Sequence, residues 1–193
     1  ATLVAAVTIL SKFAGFGRDL VIAGAYGASI MSDAYFYAYQ IPSFFLVLLG
    51  GLGGPFHTAT VAVMGKRVGD VTEAVKSSNT KLFSSFVTYT FLLSCLIAVL
   101  VAVYSTEIIA FIAPGASMEM QSIASQMLVV MSPIIIIGSL VGIFYGVLNI
   151  FEFYFLPSIA PLVASITIIL SILLFKDVSD IWPLALGTLI GTC

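Results

Sequence analysis

Residues 82–103 read LFSSFVTYTFLLSCLIAVLVAV. No charged residue interrupts this run, and a helix needs roughly 20 apolar residues to cross a bilayer. Its polar members are hydroxyls (Ser84, Ser85, Thr88, Thr90 and Ser94), which helix packing in lipid explains. The same texture recurs on both sides of it. Candidate spans cover 2–28, 33–64, 79–104, 121–150, 155–175 and 181–193. Of the 193 residues, 61% are hydrophobic and only 8% charged. The mean hydropathy is +1.19. A soluble domain is about a quarter charged. The expected fold is therefore all-α, a polytopic membrane bundle of about six helices forming one transmembrane lobe over residues 1–193. The chain starts and stops inside apolar runs, so it reads as one piece of a longer membrane protein. Its first segment is not a signal peptide, because its basic residues lie within and after the apolar stretch rather than before it.

The same composition excludes several functions. Seven Lys plus Arg, a net charge of −2 and no basic cluster longer than Lys66-Arg67 argue against a nucleic-acid partner. Cys95 and Cys193 sit in apolar runs without partner spacing, so neither a disulfide framework nor a metal site is expected. One histidine leaves almost nothing for a His-based triad. No G-x-S-x-G, Walker A or H-E-x-x-H motif is present, so no enzyme chemistry and no cofactor is expected.

Charge orients the spans. Lys66, Arg67, Lys76 and Lys81 flank the second connection, whereas the third carries Glu107 and Glu119 and no basic residue. The positive-inside rule puts residues 65–80 in the cytoplasm and 105–120 outside, with the N-terminus inside. Lys176, on the outer side, runs mildly against this assignment.

The first span is unusual in carrying Lys12, Arg18 and Asp19. Each charge costs about 2.5–3.5 kcal/mol at the bilayer centre, so three cost roughly 8–10 kcal/mol at full depth. That nearly cancels the gain from the apolar residues, and such a helix should not turn these groups to lipid. At 100° per residue, Thr8, Ser11, Lys12, Gly15, Arg18 and Asp19 fall on one arc of roughly 120°. Phe13, Ala14, Phe16, Leu20 and Val21 lie opposite. The stripe suits a water-filled cavity that binds an anion. The plainer alternative is a structural ion pair of Arg18, with Lys12 reaching to the interface.

The second span opens with Asp33, and Asp33, Tyr37, Gln40, Phe44 and Gly51 recur on one face. Pro42 removes a hydrogen bond and should kink the helix. Gly50-Gly51-Leu52-Gly53-Gly54-Pro55 will not continue a regular helix cheaply. Broken helices of this kind mark sites and hinges in transporters, and close helix packing also accounts for the glycines. His57, just beyond, reads as a packing histidine with a hydrogen bond, and as a substrate contact in the alternative. In the fourth span Gln121, Ser125, Ser132, Ser139, Gly142, Gly146 and Asn149 share a face, a packing seam bent at Pro133. Pro157 and Pro161 fall in the fifth span. Trp182-Pro183 opens the sixth as an interfacial anchor.

These stretches carry a family resemblance. Ser11-Lys12-Phe13-Ala14-Gly15-Phe16-Gly17-Arg18-Asp19 resembles the S-R-x-x-G-x-x-R-D signature that opens the MurJ (MviN) lipid II flippases. Ser32-Asp33-Ala34-Tyr35-Phe36-Tyr37-Ala38 resembles the family's T-D-A-F-x-x-A, and Ile41-Pro42-Ser43 its L-P-N. Ala113-Pro114-Gly115, Pro133, Leu148-Asn149, Phe153 and Ile159-Ala160-Pro161 follow in matching order.

The resemblance implies the first lobe of a fourteen-helix exporter of the multidrug/oligosaccharidyl-lipid/polysaccharide superfamily. It implies alternating access that carries lipid II, the undecaprenyl-diphosphate-linked cell-wall precursor, from the inner to the outer leaflet of the bacterial cytoplasmic membrane. The implied partners are that lipid-linked diphosphate, membrane lipid and a second lobe of the same longer chain. The family's central cations map onto Lys12 and Arg18, and its essential Asp onto Asp33. Ser11, Asp19 and His57 complete the candidate substrate site, with Pro42, Gly50, Gly51, Gly53 and Gly54 as candidate hinge. Lys12 stands where the family has Arg, keeping the charge and losing the bidentate fork. The Arg and Glu that follow L-P-N in the family are replaced here by an uncharged stretch, Phe44 to Pro55, two residues longer. Two other readings stay open at this point: another exporter of the same superfamily, for drugs or a different lipid-linked sugar, and a non-transporting membrane scaffold.

Overall fold

The computed structural model describes residues 2–27, 29–50, 54–68, 73–175 and 182–193. Among them the chain is all helix: α1 (Thr2–Tyr26), α2 (Ile30–Gly50), α3 (Pro55–Val68), α4 (Glu73–Val103), α5 (Ser105–Ile112), α6 (Met118–Met131), α7 (Ile134–Ile150), α8 (Phe155–Leu174) and α9 (Trp182–Thr192). Phe83–Val103 and Phe155–Leu174 are each long and apolar enough to cross a membrane, and α6 with α7, bent by 41° at a short break, are so only when taken together. α1 and α2 have the length, but carry Lys12, Arg18, Asp19 and Asp33.

The expected second span is two helices. α2 runs unbroken through Pro42, whose ring is buried, and ends at Gly50. The kink expected at Pro42 therefore does not end the helix, and the interruption lies at the glycines. Gly51 and Gly53 lie outside the described residues, as do Asp70 and Lys176. The chain bends at Gly54 and restarts with Pro55 at the first position of α3. A proline is well placed there, since its missing N–H would have had no partner in the first turn. The connection expected over 105–120 contains a further helix, α5, which buries only Ser105 and Ile109. Ser117 then caps α6 by accepting from the Met120 N–H, and the Gln121 side-chain amide donates to the Ala113 carbonyl at 2.9 Å, closing the Ala-Pro-Gly turn.

α7 is the hub. It packs on α2, α3 and α4, while α6 packs on α2 and α9. α1 leans mainly on α8, α8 carries α9, and α1 touches α2 only lightly. The fully buried centre includes Ile22, Tyr35, Met127, Met131, Ile134 and Leu184. Between apolar helices in lipid, packing and small residues do the work that water exclusion does in soluble proteins. The seam expected on the fourth span is present: Ser125, Ser132, Ser139, Gly142 and Gly146 are all buried. Gly138 lies against Leu46 of α2, and Gly187 and Gly191 let α9 lie on Ser171 and Ala164 of α8.

α7 ends in a Schellman turn. The Phe153 N–H donates to the Leu148 carbonyl at 2.9 Å and the Glu152 N–H to the Asn149 carbonyl at 3.0 Å. The left-handed position is filled by Glu152, at φ 61°. A side chain there costs about 1–2 kcal/mol, and glycine gives back about 0.4–1 kcal/mol through the unfolded chain. Glu152→Gly is expected to stabilise the protein by about 0.5–1 kcal/mol in thermal unfolding in detergent. A drop in stability would mean that the carboxylate makes a contact outside this lobe.

Candidate functional site

One edge of the polar stripe of α1, Ser11 and Arg18, is turned into the bundle, and the other edge, Thr8 and Lys12, is exposed. Ser11 and Ile22 are buried and Arg18 is half-buried, while Ile9, Phe13, Phe16 and Leu20 are exposed on the other side. The hydroxyl of Ser11 donates to the Val7 carbonyl at 2.8 Å and to the Ser158 carbonyl at 3.0 Å. Ser11 therefore joins α1 to α8 and is consumed in packing. Lys12 sits at the edge of the stripe and is exposed. Gly15, between Lys12 and Arg18 on the same arc, has nothing within 4 Å of where a Cβ would stand.

Arg18 is the more constrained of the two α1 cations. Its Nε and Nη2 both donate to Asp19 Oδ1, at 2.9 and 2.8 Å. The side chain of Arg18 is 20% exposed and that of Asp19 48%. The guanidinium carbon also lies 5.9 Å from the ring centroid of Tyr39, on α2. A guanidinium has five N–H donors. Asp19 takes two, and the Nη1 edge has no hydrogen bond among the described residues. One edge is therefore neutralised and the other is available to an anion. The ion pair expected in the plainer reading is thus present, and it leaves donor capacity over.

Asp33 is placed by local chemistry. Ser29 and Ser32 cap the start of α2 reciprocally: each hydroxyl accepts the other's backbone N–H, at 3.3 and 3.4 Å. Asp33 follows in the first turn, where a carboxylate suits the helix dipole. It is exposed and forms no ion pair with Lys12 or Arg18 among the described residues. Among the described residues Arg18 pairs with Asp19. The face of α2 that carries Asp33, Phe36, Tyr37, Gln40 and Phe44 is exposed along its length. That face of α2 is thus open, and Arg18 meets α2 on a different side, at Tyr39.

His57 is elsewhere. It is 7% exposed, in the α3–α7 contact, with Nε2 accepting from the Asn149 side-chain amide at 3.0 Å. Gly146, one turn before Asn149, brings α7 against the His57 carbonyl. The histidine ties α3 to α7, as the packing reading expects. Asn149 is half-buried in the same contact.

Two residues escape sequence reasoning, Tyr35 and Tyr39. They stack with centroids 5.8 Å apart and planes 4° apart. Their spacing of four residues on a helix was the available signal, but it lies on the packed side of α2, away from the Asp33 face.

Comparison with known proteins supplies a family. The sequence model of "Lipid II flippase MurJ" matches residues 22–193. The match begins at Ile22, so the charges of α1 precede it. A Synechocystis protein named probable lipid II flippase MurJ is 38% identical over 172 residues, covering 89% of this chain and 31% of that protein. The lipid II flippase MurJ of Thermosipho africanus is 30% identical over 185 residues, 96% of this chain and 37% of the relative. A solved structure of lipid II flippase MurJ in an inward closed conformation superposes with TM-score 0.81 at 27% identity. It covers 100% of this chain and 40% of that one. The chain spans about a third of the length of the two relatives.

Proposed function

This chain belongs to the lipid II flippase MurJ family, and from that membership we propose that it forms the first lobe of a protein that moves lipid II between membrane leaflets by alternating access. The second lobe is supplied by further chain, in keeping with the third of the relatives' length covered here. We place the N-terminus on the cytoplasmic side of the bacterial inner membrane. The support is the basic cluster Lys66, Arg67, Lys76 and Lys81 against the acidic Glu107 and Glu119.

The observation that carries the reading is the state of Arg18. A cation on a membrane helix is turned toward the bundle and held by Asp19 on one edge. Its Nη1 edge makes no hydrogen bond among the described residues. In a low-dielectric site a charge-assisted bond from that edge to a diphosphate oxygen is strong and directional. Lys12 adds a second positive charge two turns away on the same stripe, and Gly15 between them leaves the helix surface bare. Asp19 keeps the guanidinium compensated when the site is empty, so Arg18 is never an isolated charge in lipid. Asp33 and Gln40 on the open α2 face lie available to the polar part of the headgroup. The break between α2 and α3 is the joint about which the lobe yields, with His57 and Asn149 holding the lower helix to α7.

The test is rescue. The full-length parent protein is expected to restore growth and cell shape in bacteria depleted of their own lipid II flippase. Failure of a stably inserted parent to do so would move the function to a different exported lipid or to a scaffold.

A further inference from the structure

The guanidinium of Arg18 is held from outside its own helix by one side chain among the described residues, Tyr39. Neighbours i and i+1 on a helix do not face each other. Asp19 therefore draws the guanidinium around the circumference of α1 without fixing its plane relative to α2. Tyr39 lies under the guanidinium carbon at 5.9 Å, within the range of a cation–π contact. Behind it Tyr35 is 1% exposed and stacks on Tyr39. The Tyr35 hydroxyl lies 2.9 Å from Thr188 Oγ1 on α9. Thr188 donates its own proton to the Leu184 carbonyl at 2.7 Å, so Tyr35 is the donor in that pair. The ladder Arg18–Tyr39–Tyr35–Thr188 thus crosses α1, α2 and α9. Since α9 rests on α8 and α8 carries α1, it closes a ring of four helices at a level where α1 and α2 otherwise barely touch.

We propose that Tyr39 is a positioning residue for the substrate's diphosphate: its ring face fixes the plane and height of the Arg18 guanidinium, and the Tyr35–Thr188 hydrogen bond anchors that ring to α9. This rests on the reading of Arg18 as the group that takes the diphosphate. Tyr39 itself need not touch the substrate. Its work is to remove the rotational freedom that a long arginine would otherwise lose on binding.

The experiment measures lipid II binding and thermal stability of the purified full-length parent in parallel. The variants are Tyr39→Phe, Tyr39→Trp, Tyr39→Leu and Tyr39→Met, with Arg18→Ala beside them. Phe and Trp keep a ring face and are expected to bind like wild type. Leu and Met remove it, and are expected to weaken binding about three- to tenfold with little change in unfolding temperature. Two non-aromatic variants are included so that a folding defect in one leaves the other. Normal binding by Leu or Met while Arg18→Ala binds poorly would overturn the role of Tyr39 and leave Arg18 in place. Loss in Phe equal to that in Leu would overturn it too, by assigning the effect to the hydroxyl. Normal binding by Arg18→Ala would overturn the substrate site itself.

Discussion

Arg18→Ala is expected to abolish rescue of flippase-depleted bacteria while the protein still inserts at wild-type level. Two effects add. The diphosphate loses its directional charge-assisted donor, which costs about 1.5–3 kcal/mol, roughly ten- to a hundredfold in affinity. Asp19, which shares its Oδ1 with Nε and Nη2 of Arg18, is left as an uncompensated carboxylate beside the site and repels an anionic headgroup. Insertion is spared, because the substitution removes a charge that costs about 2.5–3.5 kcal/mol at membrane depth. Arg18→Lys is expected to rescue weakly, since an ammonium keeps the charge without the fork that serves Asp19 and an anion together. Rescue by Arg18→Ala at wild-type level would detach transport from the stripe. Quantitative immunoblotting of membranes, read beside growth, separates a transport defect from an insertion defect.

Gly146→Ala is expected to destabilise the lobe. A Cβ there would stand 2.6 Å from Thr60 Cβ and 3.0 Å from the His57 carbonyl oxygen. The second of these is backbone, so relief requires α3 to move as a body away from α7. Overpacking of this kind costs about 1–3 kcal/mol. It also strains the His57–Asn149 hydrogen bond one turn along. Gly15→Ala is the control. Nothing lies within 4 Å of where its Cβ would stand, and a helix interior gains up to about 1 kcal/mol from the exchange. Thermal unfolding of the two variants in detergent should shift in opposite directions. A neutral Gly146→Ala would mean that α3 is not held against α7 in the working protein.

The architecture was legible where a single physical rule acts alone. Uncharged runs such as 82–103 announce spans. Hydroxyls and glycines at helical spacing on the fourth span announce a buried seam, and Ser139 and Gly146 lie in it. Of the α1 charges, Arg18 is half-buried as an inward stripe requires, while Lys12 is exposed. α5 was missed because Ser105, Thr106 and Glu107 read as loop polarity, although the same residues open a helix before Ile-Ile-Ala-Phe-Ile. Pro42 lies inside α2, which is packed on α6 and α7 and continues as helix to Gly50. The fates of Ser11 and of Tyr39 could not be read at all. Each depends on which neighbour stands opposite, α8 for Ser11 and Arg18 for Tyr39, and one-dimensional spacing does not specify that.

The central claim is that the Nη1 edge of Arg18 takes the substrate's diphosphate. Its most direct test is equilibrium binding of lipid II to the purified full-length parent in lipid nanodiscs, wild type beside Arg18→Ala. The account predicts at least about a tenfold loss of affinity in the variant, and wild-type binding that weakens as salt screens the exposed part of the site. Equal affinity in the two proteins would contradict it.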